Sequence, residues 1–138
     1  MSASVKGTQP ENRPITAEER SLIEWLLRHG NPSSEQFLKQ VDSLVVVSKC
    51  SCGCPTVYFA QESEAIGQDA ERILADYLAT ANGQDVGVIL FQRGGRLSSL
   101  EVYSQAGTDK PFGLPEIETI YSYEELPEHR RDHTRGES

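Results

Sequence analysis

Ile73-Leu74-Ala75-Asp76-Tyr77-Leu78-Ala79-Thr80-Ala81-Asn82-Gly83 is the stretch on which the fold turns, because it reads two ways. Ile73, Leu74, Tyr77, Leu78 and Ala81 recur at helical spacing, and Gly83 is placed to cap a helix end. The same residues run into Asn82-Gly83, a strong hairpin signal, and then into Val86-Gly87-Val88-Ile89-Leu90-Phe91, which is apolar on both faces as a central strand is. Read as a strand, 73–80 completes an antiparallel meander of about five strands, and we adopt that reading.

On the C-terminal side, Arg93-Gly94-Gly95-Arg96 is a tight turn and Leu97 to Tyr103 the next strand. On the N-terminal side, Leu44–Val47 and Thr56–Ala60 are strand-like, separated by a bend at Gly53 and Pro55, and Gln61 to Glu71 is a polar loop. Earlier still, Thr16-Ala17-Glu18-Glu19 is a capping box that opens a helix with Leu22, Ile23, Leu26 and Leu27 on one stripe. Gly30 and Pro32 end it, and a shorter helix from Ser33 or Ser34 buries Phe37, Leu38 and Val41. Ile117 to Tyr123 is expected to lie extended along the sheet. The fold class is therefore α+β, with two N-terminal helices packed on a mainly antiparallel sheet of about four to six strands.

Residues 1–14 contain a single large aliphatic side chain, Val5, and residues 127–138 contain none. Both are expected to be disordered tails, leaving one domain at 15–126. The 138-residue chain carries 13 basic and 21 acidic residues, a net charge of −8, and the excess sits in the domain because the tails together are slightly basic. Such a domain repels nucleic-acid phosphates and anionic membrane surfaces and attracts a basic protein. No apolar run is long enough to cross a bilayer, and no basic-then-apolar leader opens the chain, so a cytoplasmic location is expected.

The capped Leu-rich helix, Cys50-Ser51-Cys52-Gly53-Cys54-Pro55, Gly87-Val88-Ile89-Leu90-Phe91 and Gly95-Arg96-Leu97-Ser98-Ser99-Leu100-Glu101-Val102-Tyr103 together resemble a family of small uncharacterised bacterial, largely actinobacterial, proteins with a Cys-x-Cys-Gly-Cys-Pro motif. The resemblance spans most of 16–104. It implies a bacterial, cytosolic, single-domain protein and carries no activity or site residues with it.

All three cysteines fall within five residues, at Cys50, Cys52 and Cys54. In an extended strand their side chains share one face, where three thiolates suit Zn²⁺ or Cu(I). A fourth ligand would come from His29, His129, His133 or another subunit. A redox or nucleophilic thiol near Lys49 and an anion-binding nest at Gly53 are further readings. The reading we adopt is that reduced, small cysteines pack the sheet while Gly53 and Pro55 shape the bend. Cys50, Cys52 and Cys54 stay the candidate metal ligands.

Other constellations are weaker. Ser98 and Ser99 lack a glycine elbow or a histidine partner, and Gly94-Gly95 lacks the strand-to-helix phosphate-loop pattern. His129 and His133 sit in a polar tail, Glu101 and Asp85 pair only if the fold joins them, and Trp25 reads as a core-edge residue. No catalytic or cofactor-binding residue is expected. The leading expectation is a non-enzymatic module that binds a protein partner, an immunity-type inhibitor of a basic toxin being one instance; the alternative is a thiol-based metal-binding or redox protein.

Overall fold

Helix α1, Ala17–His29, begins as its capping box requires. The Glu19 amide donates to the Thr16 hydroxyl at 3.0 Å, and the Glu19 carboxylate accepts the Thr16 amide at 2.9 Å. Leu22, Ile23, Leu26 and Leu27 are fully buried, each adding about 1.5–3 kcal/mol on leaving water. Gly30 ends the helix against the sheet, where a Cβ would strike the Leu74 carbonyl. A 3-10 helix, Ser34–Ser43, follows; it buries Phe37 and Val41, with Leu38 half-buried beside them. The Ser34 hydroxyl ties the two helices by donating to the Leu27 carbonyl at 2.8 Å.

The computed structural model describes residues 8–51, 54–60, 70–107 and 111–125. Its six strands are β1 (Thr8–Pro14), β2 (Val45–Cys50), β3 (Val57–Phe59), β4 (Arg72–Ala81), β5 (Gln84–Arg93) and β6 (Arg96–Ser104). They form one sheet in the order β1-β2-β3-β6-β5-β4, antiparallel throughout. The fold is thus α+β, with both helices on one face of the sheet. Residues 73–80 are strand, and β5 is an interior strand. Asn82 and Gly83 (φ 51° and 78°) and Gly94 and Gly95 (φ 60° and 84°) make the two hairpin turns with left-handed backbone. The meander runs only through β4, β5 and β6; β3 joins the free side of β6, with Val57 opposite Leu100. The core lies between the helices and Val46, Phe59, Val88, Leu90 and Leu100.

Two expectations need correction. Thr8–Pro14, expected within a disordered tail, is the edge strand β1, and its support is polar rather than apolar. Arg13 donates to both carboxylate oxygens of Glu19 at 3.0 Å and to Glu11 at 2.9 Å, while Lys49 of β2 lies 3.5 Å from Glu11. An edge strand also tolerates Pro10 and Pro14, which lack an N–H. Residues 117–123 are not continuously extended. They contain a 3-10 turn at Ile117–Thr119 and meet the sheet at one bridge, Tyr121 to Leu78, before a second turn at Tyr123–Glu125. Residues 1–7 and 126–138, and with them His129 and His133, lie outside the described residues, as does 61–69 of the polar loop. Among the described residues no helix is long and apolar enough to cross a membrane.

Burial alone pushes the Glu19 carboxyl up, but the bonds from Arg13 and Thr16 outweigh it and hold it below the ordinary glutamate value of 4.5. The folded state therefore favours the carboxylate. Its contribution is fully present above that ordinary value and is lost as pH falls through the lowered one. Glu19→Gln should cost on the order of 1–2 kcal/mol at neutral pH. In denaturant titrations from neutral to acid pH, the gap between variant and wild type should close below the carboxylate range. A gap that persists in acid would exclude the charged pair as its source.

Candidate functional site

The sheet face turned away from the helices carries a polar cluster that begins at an irregularity in β6. Phe91 pairs with Ser99 and Gln92 with Leu97, so Ser98 is an extra residue, a bulge. The bulge lets two consecutive hydroxyls reach one acceptor: Ser98 donates to Glu71 Oε2 at 2.8 Å and Ser99 to the same oxygen at 3.3 Å. Arg93 approaches that oxygen at 4.0 Å. Glu71 is thereby pinned.

Glu101 stands two residues beyond Ser99 on the same face. Burial pushes its carboxyl up, and the negative charge of Glu71 pushes it further. Tyr58 on β3 belongs to the same group; burial raises its phenol first, followed by Glu101, Cys54 and Glu71. Tyr103 is next along the strand. It sits opposite Gly87, and its ring occupies the space where a Cβ on Gly87 would be. Its hydroxyl is 2.9 Å from that of Tyr123. The Tyr123 phenol is raised by that bond, then by burial and by Asp76. Around these groups Val45, Val47 and Ile73 are exposed apolar side chains. Both serine hydroxyls are committed as donors to the Glu71 carboxylate, and among the described residues no histidine is bonded to either. What the face offers is negative charge set among aromatic and aliphatic surface.

Of the candidate metal ligands, Cys50 ends β2 and Cys54 lies half-buried before β3, while Cys52 is outside the described residues. The Cys50 amide donates to the Thr56 carbonyl at 3.0 Å and closes the bend. Cys54 packs against the core and directs its sulfur to the Thr56 hydroxyl at 3.5 Å. His29 lies at the β4 edge, where Tyr77 donates to its carbonyl. That is three strand spacings from Cys54, roughly 14 Å, and rules out His29 as a fourth ligand. Among the described residues no three His, Cys, Asp or Glu side chains are gathered as metal ligands.

Glu101 and Asp85 are not a pair either. Glu101 faces Ile89, four residues along β5 from Asp85 and roughly 13 Å away. The carboxylate that does reach Glu101 is Glu71, which the sequence reading placed in a polar loop. Its signal was the Ser98-Ser99 doublet, which breaks the alternation of an otherwise apolar strand. Trp25 is at the core edge as expected, its ring stacked on His29 at 4.0 Å and edge-on to Tyr77 at 5.1 Å.

Two measurements check this geometry. Because the Glu101 carboxyl is raised, folding favours its protonated form, and that advantage is lost as pH rises through the folded value. Glu101→Gln should stabilise the fold at neutral pH by under about 1 kcal/mol for so solvent-screened a pair, read as a higher Tm, and the gain should vanish in acid. A loss at neutral pH would mean the carboxylates do not repel. Gly87→Ala should displace the Tyr103 ring and cost about 1–3 kcal/mol. In a Tyr103→Ala background that cost should shrink; an unchanged cost would place the strain elsewhere.

Compared with known proteins, the chain matches no family model, no curated protein and no solved structure.

Proposed function

We propose that this chain is a non-enzymatic binding protein whose sheet face opposite the helices docks a basic protein surface, in the manner of an immunity-type inhibitor. The observation that carries the reading is the carboxylate of Glu101, half-buried and raised by burial and by Glu71. Two like charges held together weigh against the fold, and a lysine or arginine arriving from a partner relieves them. Exposed Val45, Val47 and Ile73 add apolar area around the charge, the combination found at interface cores. The net charge of −8 steers a basic partner in and holds nucleic acid and anionic membranes off. The Cys-x-Cys-Gly-Cys-Pro resemblance supports a bacterial, cytoplasmic setting for this role.

A pull-down from native lysate at low and moderate salt tests it. A stoichiometric basic partner is expected, and Glu101→Lys should lower its capture tenfold or more, about 1.4 kcal/mol. No stoichiometric partner at either salt would sink the reading.

A thiol function at Cys50, Cys52 and Cys54 is the second reading, favoured by the half-buried Cys54 sulfur, whose charge acts on Tyr58. Elemental measurement and thiol titration of the native protein separate the two. Bound zinc or copper, or one fast-reacting thiol, supports the thiol site; no metal and only slow thiols remove it.

A further inference from the structure

Among the described residues, the outward main-chain groups of β4 between Leu74 and Thr80 meet other parts of the chain except at one residue. In an antiparallel strand, alternate residues turn their main chain away from the neighbouring strand. On β4 these are Leu74, Asp76, Leu78 and Thr80. The Leu74 carbonyl accepts the Asn31 amide at 2.9 Å, and Leu78 exchanges two bonds with Tyr121 at 2.9 and 2.8 Å. The Thr80 carbonyl accepts from Glu116 at 3.1 Å, and its amide donates to the Thr119 hydroxyl at 3.0 Å. Among the described residues, Asp76 alone of the four has neither main-chain group paired.

The cause is local. Antiparallel continuation from the Tyr121–Leu78 bridge would set Tyr123 opposite Asp76. Instead the Ser122 amide donates to the Glu125 carboxylate at 2.7 Å and the Glu125 amide to the Ser122 carbonyl at 3.0 Å, turning the chain off the edge. The cleft left behind has a volume of about 390 Å³ and is walled by His29, Asn31, Asp76, Tyr77, Tyr123 and Glu124. Within its wall, Asp76 Oδ1 is buried with no hydrogen-bond partner, a condition that costs about 1–3 kcal/mol.

We propose that this gap binds one extended residue of a basic peptide segment, whose main chain bonds the Asp76 amide and carbonyl while its arginine or lysine side chain donates to the Asp76 carboxylate. A residue paired opposite Asp76 places its side chain on the same face of the sheet, about 5 Å away between Cβ atoms, where opposite charge is stabilising. Glu124 adds negative charge, and the ring of Tyr123 offers a face to a guanidinium. Asn31 and Tyr121 occupy the edge on either side, so the recognised element is a loop apex or a chain end, not a long strand. The inference shares the basic-partner logic of the proposed function but rests on a different site.

Full-length protein titrated with the blocked peptide acetyl-Gly-Arg-Gly-amide tests it by NMR and by fluorescence. Trp25, the one tryptophan in the chain, contacts His29 and Tyr77 of the cleft wall and serves as an intrinsic reporter. Saturable shifts of the Asp76 amide and the Trp25 indole are expected at millimolar peptide. Asp76→Asn should weaken binding at least fivefold, and the milder Glu124→Gln about twofold, which keeps the test open if the first variant folds poorly. Agmatine, a guanidinium without peptide groups, should bind more weakly than the peptide. No saturable shift, equal binding of the peptide with glutamate in place of arginine, or equal binding of agmatine would overturn the proposal. The probe needs no natural partner, so its failure would leave the sheet-face reading standing. Glu101→Lys should change peptide affinity less than twofold; a larger loss would place the peptide on the sheet face and overturn the edge site.

Discussion

The architecture depends on a single buried carboxylate. Glu19 caps its own helix through Thr16 and, with the same two oxygens, receives the guanidinium of Arg13. One side chain thus sets where α1 starts and where the chain before it must run. With Arg13 fixed, β1 is held along β2, and the sheet extends one strand further than apolar burial would take it. A charge this deep is tolerable only because its acceptor positions are filled, three of them by donors from two different elements.

The two faces of the sheet are governed by different rules. Against the helices, packing decides: aliphatic side chains from five strands, β2 to β6, share one core with the stripe of α1. On the other face electrostatics decides, and the bulge at Ser98 is the device. By adding one residue to β6 it turns a second hydroxyl toward Glu71, which keeps that carboxylate in place beside Glu101. The arrangement accepts repulsion where none is needed for folding, a pattern that belongs to sites shaped by something outside the chain.

Local signals were readable and remote ones were not. The capping box, the leucine stripe and both glycine turns follow from neighbours within a few residues, and each is where the sequence places it. The ambiguity over 73–80 has a physical origin. In β4, Leu74 and Ala75 are both buried across a register shift, and Leu78 and Ala79 are both buried although they point to opposite faces. Ala79 belongs to the core, while Leu78 is covered outside it, next to the Tyr121 bridge. Paired burial every four residues imitates a helix. β1 and Glu71 were illegible for a different reason. Their partners are polar side chains far along the chain or in a bulge, and no periodicity announces a hydrogen bond. The cysteine run was the loudest signal in the sequence, yet the side chains that gather on the open face are serines, glutamates and tyrosines.

The way the sheet ends on its two sides bears on how the molecule behaves in a crowd. At β1, two of the seven strand residues are prolines with no N–H to offer a neighbour. At β4, among the described residues, the segment from Glu116 to Tyr121 and the side of Asn31 leave one residue, Asp76, with its outward main-chain groups unpaired. Templated growth of one sheet on another needs several consecutive main-chain groups. An opening one residue long is too short to template a second copy of the sheet, so this edge is guarded against aggregation by geometry.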